Sequence, residues 1–236
     1  MDRIALGKSL NLWIDLIAQG SLNRPGRSLA PAFITIHNTS NTSAGADASA
    51  HARFVTKTEY YTLSSGKKNP VSWHFTVDDE RVIKHLPLNE VGYHAKSGNA
   101  VSIGIEICMH QGIDQSAADA RAARLVAVLM HDLGIPPANV VTHKYWTTKS
   151  CPTLLLSSFD EFVSTASKNM ASLTEDGTEG AQATDDVVTA EERERIRELE
   201  EAGAESITPL PEEVLEADDP HPGSLLVGDV TTGSGV

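Results

Sequence analysis

The sequence predicts an α/β domain over residues 1–169, followed by an acidic tail over residues 170–236. Three observations carry that prediction. Short apolar runs of β character, at residues 33–36, 101–108 and 140–142, are interleaved with a stretch of clear helical periodicity. Polar loops rich in Gly, His and Asn stand where several of those runs end. The charge is also split. Residues 1–169 hold 16 Lys/Arg against 14 Asp/Glu, a net +2, whereas residues 170–236 hold 3 against 18, a net −15.

Taken in order, residues 1–19 read as an amphipathic helix with Leu6, Leu10, Trp13 and Ile17 on one face. Lys8 and Asp15 interrupt its apolar pattern and no small-residue cleavage site follows, so it does not read as a signal peptide. Synthesis in the cytoplasm without a cleaved leader is therefore expected. Residues 21–31 form a Gly/Pro/Arg loop, residues 33–36 a buried strand, and residues 38–47 a polar loop. Residues 48–60 read as a helix anchored by Phe54 and the Tyr60-Tyr61 pair, and residues 66–70 as a turn. Residues 73–77 and 81–86 flank Asp78-Asp79-Glu80 as a β-hairpin.

Residues 88–100 form a loop and residues 101–108 a strand. On that strand Ile103, Ile105 and Ile107 point one way, and Gly104, Glu106 and Cys108 the other. A long helix opens at Ser116, with Asp119 in a capping-box position. Its apolar stripe runs through Ala122, Leu125, Val126, Leu129, Met130 and Leu133, and Gly134 then Pro136 end it. A strand at residues 140–142 and a last helix at residues 154–167 complete the domain. In the tail, residues 189–202 are an exposed helix candidate with a Thr189/Glu192 capping box and a Glu191/Arg195 pair. The remainder is Pro/Gly/acid-rich and expected to be disordered.

Composition narrows the function. Hydrophobic residues make up 40% of the 236, enough for a core. No apolar run approaches the roughly 20 residues of a membrane span. The acidity sits in the tail and no basic patch suggests a nucleic-acid surface. Two cysteines do not make a disulfide framework; Cys108 lies in an apolar run and reads as a buried thiol.

The chemistry-bearing residues lie at strand ends. His37 closes one β-like run, and His143 and Cys151 follow another. Two imidazoles and a thiolate are a zinc ligand set that leaves the fourth position open, as a hydrolytic zinc requires. Glu106 is a carboxylate in an otherwise apolar strand. It is either a general base or a carboxylate that orients a ligating His. Lys149, two residues before Cys151, is either an oxyanion donor or a solvated surface lysine.

Six pieces stand in one order: Ile36-His37-Asn38-Thr39, Ser72-Trp73-His74-Phe75, Val91-Gly92-Tyr93-His94-Ala95, Ser102-Ile103-Gly104-Ile105-Glu106, Thr142-His143 and Lys149-Ser150-Cys151-Pro152. Over roughly residues 30–160 the chain thus resembles the zinc-dependent N-acetylmuramoyl-L-alanine amidases of the type 2 amidase family. These include phage endolysins, muropeptide-recycling amidases and, more distantly, peptidoglycan recognition proteins.

The resemblance implies a central mixed β-sheet flanked by helices. It implies zinc (Zn2+) on His37, His143 and Cys151, catalysis by Glu106 and Lys149, and substrate contacts from Asn38, Trp73, His94 and Asn99. Many family members carry Tyr where Trp73 stands, and Trp offers only an N–H donor. His74 reads as a hydrogen-bonded core His; His51, His85, His110, His131 and His221 have no motif context.

The expected activity is cleavage of the N-acetylmuramic acid–L-alanine bond in peptidoglycan, acting on the cell wall. A cytoplasmic muropeptide-recycling amidase and a non-catalytic peptidoglycan-binding module are the alternatives. The acidic tail is expected to solvate the chain or to dock a protein partner, and no nucleic-acid partner is expected.

Overall fold

The computed structural model describes residues 3–173 and 187–202. The elements follow in chain order. They are α1 (Arg3–Lys8), β1 (Leu12–Ile14), β2 (Phe33–Asn38), α2 (Ala48–Arg53), β3 (Tyr60–Thr62), β4 (Lys68–Pro70), β5 (Phe75–Val77) and β6 (Val82–Lys84). Then come β7 (Ser102–Ile107), α3 (Gln115–Leu133), β8 (Val140–Thr142), α4 (His143–Trp146), α5 (Phe159–Ala171) and α6 (Ala190–Glu201). Six strands form one sheet in the order β1-β6-β5-β7-β2-β8. Only the β5–β6 hairpin is antiparallel, so the sheet is mixed, as expected.

The period-two pattern of β7 fixes the layering. Ile103, Ile105 and Ile107 share one face with Ile34, Ile36, Phe75, Val77 and Val82, all fully buried. The stripe of α3 predicted from the sequence lies on this face, with Ala122, Leu125, Val126, Leu129 and Met130 buried against it. Burying each such Ile or Leu side chain contributes about 1.5–3 kcal/mol. The helices α1 and α5 pack beside α3, and α2 covers part of the opposite face through Ala48, Ala52 and Ile83.

Several boundaries differ from the sequence reading. The N-terminal helix stops at Lys8, and Asn11 turns the chain at φ +50°. The bulky Leu12-Trp13-Ile14 run suits a strand, and it pairs with β6 as a parallel edge. Leu6, Leu10 and Ile17 are buried as expected, but Trp13 is half exposed, its ring under the Arg81 guanidinium. The helix from residue 48 ends in a π-helical turn, Phe54–Thr58, closed by Glu59 at φ +67°. Tyr60 and Tyr61 then enter β3, and residues 68–70, read as turn, are its partner strand β4.

Asp114, not Ser116, caps α3 by accepting from Ala117 N–H, and Asp119 instead bonds Gln115. The last helix of the domain starts at Phe159 rather than Leu154, and the Leu154 N–H bonds Asn38 Oδ1. The helix predicted at residues 189–202 is present, with its Thr189/Glu192 capping box. It is not free of the domain. Ile196, Val187 and Val188 join the main core, and Glu192 forms a buried ion pair with Lys84 at 2.7 Å. Arg195 pairs with Glu198 rather than Glu191. The tail expected to be disordered lies, beyond residue 202, outside the described residues, as does His221. No described helix is long and apolar enough to cross a membrane.

Candidate metal centre

Register builds the site. On the face opposite the isoleucines, His37 of β2 stands level with Glu106 of β7, which stands level with Thr76 of β5. The parallel partner β8 ends at Thr142, so His143, the first residue of α4, arrives beside His37. The turn after α4 folds back: Lys144 N–H bonds the Cys151 carbonyl, and Cys151 N–H the Lys149 carbonyl. That turn brings a sulfur to two imidazoles more than 100 residues away in sequence from one of them.

His37, His143 and Cys151 are all buried, and their ligand atoms lie within 4.8 Å of one another. His37 Nδ1 is 3.0 Å from His143 Nδ1 and 4.0 Å from Cys151 Sγ. A tetrahedral zinc with bonds of about 2.0–2.1 Å to nitrogen and about 2.3 Å to sulfur holds its ligand atoms about 3.3–3.6 Å apart. The observed separations bracket that spacing, and the donor set is one that zinc takes. Burial first, then the charges of His143, His94 and Lys149, holds the His37 imidazole well below its usual pKa. A neutral imidazole is the form a metal needs. Cys108 differs: its thiol touches His51 at 3.8 Å, and burial pushes its pKa well up.

Glu106 Oε1 lies 3.8 Å from His37 Nδ1. With Lys149, Cys151 and His143 it lines a solvent-open groove. One wall of the groove is Tyr61, Asn69 and Pro70 of the β3–β4 hairpin; another is the segment from Tyr93 to Asn99. Lys96 in that segment sits at φ +51°, an unusual conformation for a residue with a Cβ.

The residues expected to touch substrate also line this groove, and several of their polar atoms bond within the protein. Asn38 donates to the Ile107 carbonyl and accepts from Leu154 N–H. Asn99 Oδ1 accepts from the N–H groups of His94 and Ala95. His94 bonds His37 through Nδ1 and the Ser102 carbonyl through Nε2. Trp73 is buried against Phe54, and its indole N–H donates to Thr76 Oγ1, which in turn meets His85 Nε2. The indole N–H is therefore committed away from the metal centre.

His74 is a core histidine as expected. Its Nδ1 accepts from Gly104 N–H, its Nε2 donates to the Glu90 carbonyl, and burial lowers its pKa to about 4. His85 and His51, which carried no motif signal, are likewise buried. Sequence reasoning missed Ser102 and the β3–β4 wall. A small or glycine residue alternating with Glu106 along one strand was the signal for part of this.

Comparison with known proteins agrees with the geometry. A family model described as N-acetylmuramoyl-L-alanine amidase matches residues 27–154. The chain is 48% identical over 160 residues to the N-acetylmuramoyl-L-alanine amidase XlyA of Bacillus subtilis, covering 65% of this chain and 50% of that protein. It is 45% identical over 157 residues to CwlH of the same organism, covering 63% and 58%. The chain thus spans about half the length of these relatives. The solved catalytic domain of XlyA superposes with a TM-score of 0.61 at 46% identity, covering 66% of this chain and 99% of that domain. With the matched stretch spanning more than half of the chain and containing both histidines and the cysteine of the cluster, this chain belongs to the type 2 N-acetylmuramoyl-L-alanine amidase family.

Proposed function

We propose that this chain hydrolyses the amide bond between N-acetylmuramic acid and the L-alanine of the peptidoglycan stem peptide, with zinc held by His37, His143 and Cys151. The observation that carries the reading is the convergence of those three side chains beside Glu106 at the floor of an open groove. Zinc bound there supplies Lewis acidity, which polarises a carbonyl and brings the pKa of an attacking water to about 7.

The chain's own residues supply the proton handling. Glu106 faces the ligand cluster from the neighbouring strand. It takes the proton from the attacking water and returns it to the departing amine, which otherwise leaves poorly. The Lys149 ammonium, on the same groove, donates to the oxyanion that develops on the scissile carbonyl. The enclosing hairpin and the 93–99 segment orient the glycan and peptide on either side of that bond.

Action on the wall is favoured over recycling because a solved endolysin of Bacillus subtilis matches at 45% identity. The test is mass spectrometry of peptidoglycan and of soluble muropeptides digested by wild type and Glu106→Ala, with zinc measured on both. New L-alanine N-termini from intact wall, lost in the variant while zinc is retained, are expected. Zinc binding without any release of L-alanine termini by the wild type would make the chain a binding module.

A further inference from the structure

His37 can point a lone pair at the cluster through Nδ1 only if its proton sits on Nε2, and the groups behind it decide this. The Ser102 carbonyl can only accept a hydrogen bond. It lies 3.3 Å from His94 Nε2, so that nitrogen carries the His94 proton. His94 Nδ1 is then a bare acceptor, 3.1 Å from His37 Nε2. Two lone pairs at that distance would repel, so His37 must donate from Nε2. Its Nδ1 is left unprotonated, 3.0 Å from His143 Nδ1 and 4.0 Å from Cys151 Sγ.

We propose that His94 is a positioning residue: a relay from the Ser102 carbonyl through His94 fixes the tautomer of His37 and aims its Nδ1 lone pair at the metal site. The inference rests on reading His37, His143 and Cys151 as that site. The fold is built around the relay. Gly104 lies directly under the His94 ring, and a Cβ there would meet ring atoms at 2.7 Å. Asn99 pins the His94 and Ala95 backbone. The His74 ring stands edge-on to His94 at 6.0 Å and holds the Gly104 N–H, so the strand cannot slide beneath the ring. Ser102, Gly104 and Glu106 alternate along one face of β7. That strand therefore serves the site three times: its Ser102 backbone carbonyl is the acceptor for His94, Gly104 leaves room for the ring, and Glu106 supplies a carboxylate.

The first test needs no substitution. Long-range nitrogen–proton NMR on metal-free wild-type protein with labelled histidine is expected to find His37 protonated at Nε2 and bare at Nδ1. Protonation at Nδ1 would overturn the relay. The second test titrates Zn2+ against a competing chelator. His94→Leu, which removes the acceptor, is expected to bind about 10–100-fold more weakly and to give a mixed His37 tautomer. His94→Asn places an acceptor oxygen near the lost Nδ1 and is expected to recover most of the affinity. Affinity within threefold of wild type in His94→Leu, with the His37 tautomer unchanged, would sink the proposal while leaving the metal site standing. A wild type that binds no zinc would instead sink the site reading, whatever the NMR shows.

Discussion

The two faces of the central sheet are buried to similar extents and held by opposite means. The α3 face is a continuous apolar layer of Ile, Val, Leu and Phe, broken by one charge pair, Lys84–Glu192. The groove face buries His37, His74, His85 and His94, each satisfied by carbonyls, hydroxyls or other imidazoles. An apolar layer gains from area and tolerates variation in its partners. A buried polar layer loses free energy unless every donor finds an acceptor. The groove face therefore places atoms to within a fraction of an ångström, and the α3 face supplies the stability that lets it do so.

Perturbing each face separately should separate catalysis from stability. The largest expected effect is on the groove face: Glu106→Ala should cut amide cleavage about 10²–10⁴-fold, with zinc content and melting temperature unchanged. A fall in zinc content would reassign Glu106 to orienting its ligating neighbour. Next is the exception on the apolar face. Glu192→Ala leaves the Lys84 ammonium buried, where it also bonds the Val187 carbonyl. Breaking such a pair typically costs about 3–5 kcal/mol, to be read by denaturant unfolding, with activity per folded molecule preserved. Lost activity without lost stability would mean that α6 reaches the groove.

Lys149→Ala should lower kcat about 10²–10³-fold with little change in zinc affinity; an unchanged rate would leave it a groove-wall lysine. The most graded effect is a pH dependence. Burial holds His74 and His85 at about 4 when folded, against the ordinary histidine value of 6.5. Between those values the unfolded chain binds more protons, so stability is full above pH 6.5 and falls as pH drops towards 4. A shift of that size corresponds to about 3 kcal/mol per histidine. Unfolding at pH 7 and 4.5 should show a loss that shrinks in His85→Gln; an equal loss in both would remove His85 from the cause.

Legibility followed the same division. The apolar face was readable because period two in β7 and period 3.6 in α3 are local patterns that report directly on burial. The residue types of the buried His37-His143-Cys151 cluster were readable because two histidines and a cysteine stand at strand ends in family order. The hydrogen-bond partners of His94, Asn99 and Trp73 were not, because no local pattern reports them. Only the fold supplies them: the Ser102 carbonyl for His94, two backbone N–H groups for Asn99, and Thr76 for Trp73. The start of the chain misled for a related reason. Leu6, Leu10 and Ile17 fit a helical face, yet an open sheet edge beside Leu12-Trp13-Ile14 offered backbone hydrogen bonds that a longer helix could not match.

By itself the sequence determined the fold class, the apolar core, the ligand types and the family, because each is written in residue identity or short-range spacing. Tertiary structure alone decided that His37 turns Nδ1 towards His143 and Cys151 and Nε2 towards His94. It also decided that a helix in the acidic tail closes onto the domain through Lys84, and which protein groups Asn38, Trp73, His94 and Asn99 bond at the groove. Several of these turn on a hydrogen bond or ion pair between residues far apart in the chain, and no local pattern encodes such a partner.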